Sequence, residues 1–181
     1  MGDEAAGKPP VVILREETNV TSGTAVQEKL IAAARVFADL LRPTYGPRGL
    51  DKMLYKTDGT TAVTNDGAKI VAELMVKHPA AKMFVSMAES QENSCGDGVT
   101  GTLLFSAELL IEANRLLQKG LHPLTVVDGY NRANIIAQET ISNRTIACTP
   151  ETLQEVATTS LTGKGAEGAA PALSKMIVDA L

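Results

Sequence analysis

"NSCGDGVTGTLLFSAELL", residues 93–110, sets one carboxylate, Asp97, between Gly96 and Gly98 and then runs straight into an apolar helical pattern. Two readings of that aspartate are open. It can cap the helix, with the glycines allowing the turn, and satisfy amide donors left free at the helix start. Alternatively, the amides of Gly98, Val99 and Thr100 point outward at the positive end of the helix dipole, where a phosphate is favoured. Asp97 is then placed to hold the Mg²⁺ that accompanies a nucleotide, since a carboxylate is a hard oxygen ligand and Mg²⁺ takes only one or two of them. Either way the chain after residue 98 is a helix, and the fold is read outward from there.

The aromatic content is 3% with no Trp, so a core must be built from Ala, Leu, Val, Ile and Met on closely approaching helices. "TAVQEKLIAAARVFADLL" (24–41) opens with a capping-box pair, Thr24 and Gln27, and sets Leu30, Ala34, Phe37 and Leu41 on one face. Pro79 opens a helix with Ala80, Met83, Phe84, Met87 and Ala88 in period, and Pro123 opens another with Val126, Tyr130, Ala133, Ala137 and Ile141. "DKMLYK" and "TTAVTN" flank Asp58-Gly59, which predicts a β-hairpin. "VVILREE" (11–17) is a short strand candidate behind a polar start, its charges a solvated edge or a pairing across a subunit boundary. The last apolar face, Leu173, Met176, Ile177, Ala180 and Leu181, meets no Gly, Asn or Pro stop, so the chain is read as ending inside an element. "GKGAEGAA" (163–170) is the candidate hinge between subdomains.

With 44% hydrophobic and 21% charged residues in 181, the composition suits one well-packed domain, or one and part of a second. The net charge of −4 argues against a nucleic-acid groove. No stretch reaches the roughly 20 apolar residues of a membrane span, and the polar amino terminus predicts a cytoplasmic protein. Cys95 and Cys148 lack metal or redox spacing, and Cys95 is expected to be a small packed side chain. His78 and His122, each before a proline at a helix start, are expected to be structural or solvent-facing rather than ligands.

Two further loops carry glycines that let backbone approach a ligand: "PTYGPRGLDKM" (43–53) and "VTNDGAK" (63–69), the latter with the Gly-flanked acid Asp66. "LTGKGAE" (161–167) is not a Walker A loop, because Gly165 stands where Ser or Thr is required. Taken in order, "TYGPRGLDKML", "VTNDGAKI", "HPAAKM", "GDGVT", "GLHP" and "TSLTGKGAE" resemble the amino-terminal part of group II chaperonins, the family of the archaeal thermosome and the eukaryotic cytosolic chaperonin. The resemblance runs from about Asn19 onward and covers part of a whole family chain.

The resemblance implies a mainly α fold: an equatorial helical bundle with a β-hairpin and a short amino-terminal strand, plus the start of an intermediate domain. It divides the chain into a mobile segment (1–18), the first half of an equatorial ATP-binding domain (19–147) and the start of the intermediate domain (148–181). It implies an ATPase with ATP and Mg²⁺, working in a double ring with other chaperonin subunits on unfolded polypeptides, away from nucleic acid and membrane. By that likeness Tyr45 and Gly46 meet the nucleotide, Asp97 is the Mg²⁺ ligand, and Gly98, Val99, Thr100 and Gly101 form the phosphate turn. Asp66 matches the acid that orients the attacking water, and Thr162, Gly163 and Lys164 match a loop reading the terminal phosphate. The family usually has Thr-Thr after Gly-Asp-Gly; here Val99 and Thr100 follow, and the missing hydroxyl is expected to cost about 1–2 kcal/mol if it bonds a phosphate oxygen. That departure and the short chain leave an alternative, a non-hydrolysing chaperonin-like assembly or interaction subunit, against which Asp66 and Asp97 together argue.

Overall fold

A computed structural model of the chain describes residues 20–55 and 58–181. The segment 1–18 and the strand read at 11–17 lie outside the described residues. The elements in order are α1 (Thr24–Leu41), the strands β1 (Lys52–Tyr55) and β2 (Thr61–Thr64), and the helices α2 (Gly67–Ala72), α3 (Pro79–Cys95), α4 (Val99–Gln118), α5 (Pro123–Arg144), α6 (Pro150–Leu161) and α7 (Ala170–Asp179). The mainly α class is therefore met, with one small sheet.

Helix starts follow local chemistry. Prolines occupy the first turns of α3, α5, α6 and α7, where a missing amide costs nothing. Both histidines are caps: His78 Nδ1 accepts from the Ala80 amide and His122 Nδ1 from the Leu124 amide, each at 3.2 Å. Thr149 caps α6 through the Thr152 amide at 3.3 Å. The capping box read at Thr24 is not formed. Thr24 is already helical, and the cap position falls to Gly23, whose φ of 65° only glycine adopts readily and which has no side chain to offer.

In the hairpin, Lys52 pairs with Thr64 and Tyr55 with Thr61, antiparallel. Asp58 Oδ1 accepts from the amide of Thr60 at 2.9 Å and its hydroxyl at 2.7 Å, and Gly59 turns the chain with φ 86°. The Asp-Gly signal thus works as side-chain and backbone chemistry together.

One core joins α1 to α4. Ala34, Phe37, Ala38 and Leu41 of α1 meet Ile70 and Val71 of α2, Phe84 and Ala88 of α3, and Val99, Leu103 and Ala107 of α4. The alanines let helix axes close up, and the Phe37 and Phe84 rings stack 4.9 Å apart at 13°. On α1 the core face is set by Ile31 rather than Leu30, which is half-buried. Arg42, just past α1, is paired with Glu108 of α4.

The remaining helices are less covered. Of the α5 face only Val126 is buried and Tyr130 half-buried, its hydroxyl donating to the Leu109 carbonyl at 2.6 Å. Burial, with Glu112 nearby as a second cause, raises the Tyr130 phenol above its ordinary pKa. Helices α6 and α7 pack on one another as a hairpin, and the stretch read as a hinge, 163–170, runs through their connection, a short 3-10 turn at Glu167–Ala169 and the first residue of α7. The buried residues of α7 are Ala170 and Ser174, its helix ends at Asp179, and Met176 and Ile177 of the expected apolar face are exposed.

Candidate functional site

The fold brings four loops around a cavity of about 600 Å³. They are the segment after α1 (Thr44, Tyr45, Gly46, Pro47), the β2–α2 junction (Asn65, Asp66, Gly67), the α3–α4 turn (Gly96 to Gly101) and the end of α6 with its following turn (Ser160, Thr162, Gly163, Lys164). Every candidate residue read from the sequence lines this one space: Tyr45, Gly46, Asp66, Asp97, Gly98, Val99, Thr100, Gly101, Thr162, Gly163 and Lys164.

The α3–α4 turn is built on two left-handed glycines. Gly96 (φ 68°) ends α3, its amide donating to the Glu92 carbonyl at 2.8 Å, and Gly98 (φ 82°) begins α4. Asp97 lies between them, and its Oδ1 accepts from the adjacent Gly98 amide at 2.7 Å. Asp97 is therefore not the helix cap that one reading made it. The cap position belongs to Gly98, and no side chain bonds the first amides of α4. The first bond back to Gly98 is made by Thr102 at 2.9 Å, which leaves the amides of Val99, Thr100 and Gly101 pointing out of the helix end.

Asp66 does cap its helix, Oδ1 accepting from the Ala68 amide at 3.0 Å. Gly67 beside it is buried, and a Cβ there would lie 2.0 Å from Thr100 Oγ1, so the starts of α2 and α4 touch through a missing side chain. Tyr45 is 61% exposed, yet its ring and hydroxyl lie 3.6–3.7 Å from where a Gly101 Cβ would be, against the first turn of α4. Gly49 closes the first loop so tightly that a Cβ would sit 2.1 Å from the Thr44 carbonyl oxygen. Gly163 is left-handed (φ 73°), and a Cβ on it would lie 3.3 Å from the Pro47 carbonyl oxygen, so the last loop reaches across to the first.

The charge of the lining is lopsided, with three carboxylates, Asp66, Glu92 and Asp97, and one cation, Lys164. Among the described residues no group of three or more His, Cys, Asp or Glu side chains could hold a metal by itself. Exposed Asp97, next in sequence to the uncapped start of α4, instead suits a hard cation that arrives with phosphate oxygens and water.

Residues 37–181 match the TCP-1/cpn60 chaperonin family. This chain belongs to that family. Among curated relatives, thermosome subunit alpha of Halobacterium salinarum is 42% identical over 178 residues, covering 97% of this chain and 32% of the relative. Thermosome subunit alpha of Methanothermobacter thermautotrophicus is 41% identical over 98% of this chain and 33% of its own length. Thermosome subunit beta of Archaeoglobus fulgidus is 43% identical over 95% and 32%. The chain thus spans about a third of the length of these relatives, and their names agree with the group II chaperonin resemblance of its motifs.

Against this family background the departure at Val99 reads differently. Val99 is 4% exposed and belongs to the core with Leu103 and Ala107, and it also lines the cavity. A hydroxyl in place of a Val99 methyl would start from a buried position. Cys95 is also corrected, being exposed rather than packed. The sequence reading missed Glu92, Ser160 and the spacer role of Gly67. Glu92 sits on a charged helix face with no motif around it, and the contact of Gly67 with Thr100 joins residues far apart in sequence. Among the described residues no helix is long and apolar enough to cross a membrane.

Proposed function

We propose that this chain carries the nucleotide-binding half-site of an ATP-driven chaperonin subunit. In this reading residues 19–147 are equatorial and 148–181 begin the intermediate domain. The single observation that carries it is the cavity itself, where uncapped helix amides, two Gly-flanked acids and a lysine loop converge on one space.

The residues divide the work by their chemistry. The outward amides of Val99, Thr100 and Gly101 bind phosphate oxygen at the positive end of α4. Three lining carboxylates against one lysine would repel a polyphosphate alone, so nucleotide enters with a divalent cation, and Asp97 is the ligand for it. Bound Mg²⁺ supplies neutralisation of the charge that develops on the phosphates. Asp66, with one oxygen held by the Ala68 amide, keeps its carboxylate in a fixed orientation from which it positions the attacking water. Lys164, on the loop that reaches Pro47, pairs with the terminal phosphate, and Thr162 and Gly163 shape that loop. Tyr45 and Gly46 bound the nucleotide from the first loop.

ATP hydrolysis would then drive a double ring with other chaperonin subunits around unfolded polypeptide in the cytoplasm. The non-hydrolysing alternative draws on Val99 and the short chain, and the two acids at the cavity, Asp66 and Asp97, together with the likeness to thermosome subunits, do not favour it. The test is calorimetric titration of the chain with ATP, with and without Mg²⁺. Asp97→Ala should weaken Mg²⁺-dependent binding by about tenfold or more, while its circular dichroism matches the parent; equal affinity for both proteins would overturn the assignment. In assembled rings, Asp66→Ala should keep nucleotide bound and slow turnover strongly, because a water-positioning group acts in the transition state.

A further inference from the structure

We infer that Gln91 is a positioning residue that sets the orientation of the Asp97 carboxylate from outside the cavity. The inference rests on the nucleotide reading above and adds a residue to it. Gln91 lies in the last turns of α3, half-buried, and opens onto a groove with Met87, Ser90, Ser94 and Thr102 rather than onto the nucleotide cavity. Its Nε2 donates to the Asp97 backbone carbonyl at 2.8 Å. The same amide nitrogen lies 3.4 Å from where a Cβ on Gly98 would be, so it packs against the turn as well as bonding it.

The chain of effect runs through one peptide unit. A trans peptide is planar, and its carbonyl and amide point in opposite directions. Gln91 holds the carbonyl end of the Asp97–Gly98 peptide toward α3, which turns the Gly98 N–H the other way. That N–H is the donor on which Asp97 Oδ1 is seated at 2.7 Å. With Gly96 and Gly98 both left-handed, the turn has little intrinsic stiffness, and no side chain caps α4. Gln91 supplies the external anchor. Removing its donor leaves the peptide free to rotate, and the carboxylate loses its seat while the outward amides of α4 remain in the helix.

The prediction is a split. Gln91→Met keeps the volume and deletes the donor; Gln91→Glu keeps the shape and sets an acceptor against the carbonyl. Binding of a fluorescent ATP analogue is measured across a Mg²⁺ series and in EDTA, and exchange of the Gly98 amide is followed by NMR without nucleotide. Both variants should raise the Mg²⁺ half-saturation by about fivefold, the worth of one ordinary hydrogen bond, and speed Gly98 exchange. Affinity in EDTA should stay at the parental value, which a merely structural role would not allow. An unchanged Mg²⁺ requirement, or an equal loss with and without Mg²⁺, overturns the role of Gln91. A parent chain with no Mg²⁺-dependent binding overturns the nucleotide reading and this role with it, and the Gly98 exchange rates distinguish that failure from an absent hydrogen bond.

Discussion

At the scale of single residues, the site depends on side chains that are missing. Gly67 brings α2 onto Thr100 because nothing stands between them, and a methyl group would sit 2.0 Å from Thr100 Oγ1. Gly67→Ala should cost about 1–3 kcal/mol by overpacking. Urea denaturation would measure it, and Thr100→Ala in the same chain should recover most of the loss, since the clash is with that hydroxyl; additive losses would refute the contact. Val99→Thr, which restores the usual family residue, should leave ATP affinity unchanged and cost about 1–2 kcal/mol of stability, because its hydroxyl enters an apolar core. Parallel titration and denaturation decide it. Asp97 and Asp66 were legible in the sequence as acids framed by glycine. Which of them caps a helix was not, because that depends on backbone angles the glycines leave open: Asp66 caps α2, while Asp97 yields the cap position to Gly98.

Among the elements, Pro79, Pro123 and Pro150 mark helix starts, because a fixed φ and a missing donor suit the first turn and not the helix interior. The hairpin was legible for a similar local reason. Faces were harder. The period of α5 was right, yet burial along it depends on neighbours that periodicity does not name. Helix α6 carries a pH dependence of its own. Glu151 in its first turn is held below the ordinary carboxylate pKa of 4.5, first by its own backbone amide and then by Thr149. A carboxylate with a lowered folded pKa stabilises the fold above its ordinary value, and that contribution is lost as pH falls through the lowered one. Helicity of the α6–α7 hairpin should therefore fall on acidification, and Glu151→Gln should flatten that limb of a circular dichroism titration. An unchanged acid limb in Glu151→Gln would show that other carboxylates carry it.

For the whole molecule, the covered core and the bare helix lie side by side. Leu124, Val127 and Ile135 of α5 are all exposed, and only Val126 of that helix is buried. Exposed apolar surface drives association, so sedimentation of the isolated chain should show self-association that grows with concentration, and Val127→Lys with Ile135→Lys should suppress it. A monomer at every concentration would contradict this. The sparing use of aromatic residues, which let alanine-lined helices close up, also shapes what an observer can see. With no tryptophan and three tyrosines, the ultraviolet emission of this protein comes from Tyr45 at the cavity, Tyr55 exposed on the hairpin and Tyr130 on α5. Replacing Tyr55 and Tyr130 by Phe would leave Tyr45 as the sole emitter, a built-in lamp at the mouth of the cavity whose brightness reports, without any attached dye, when the space beside Gly101 is filled.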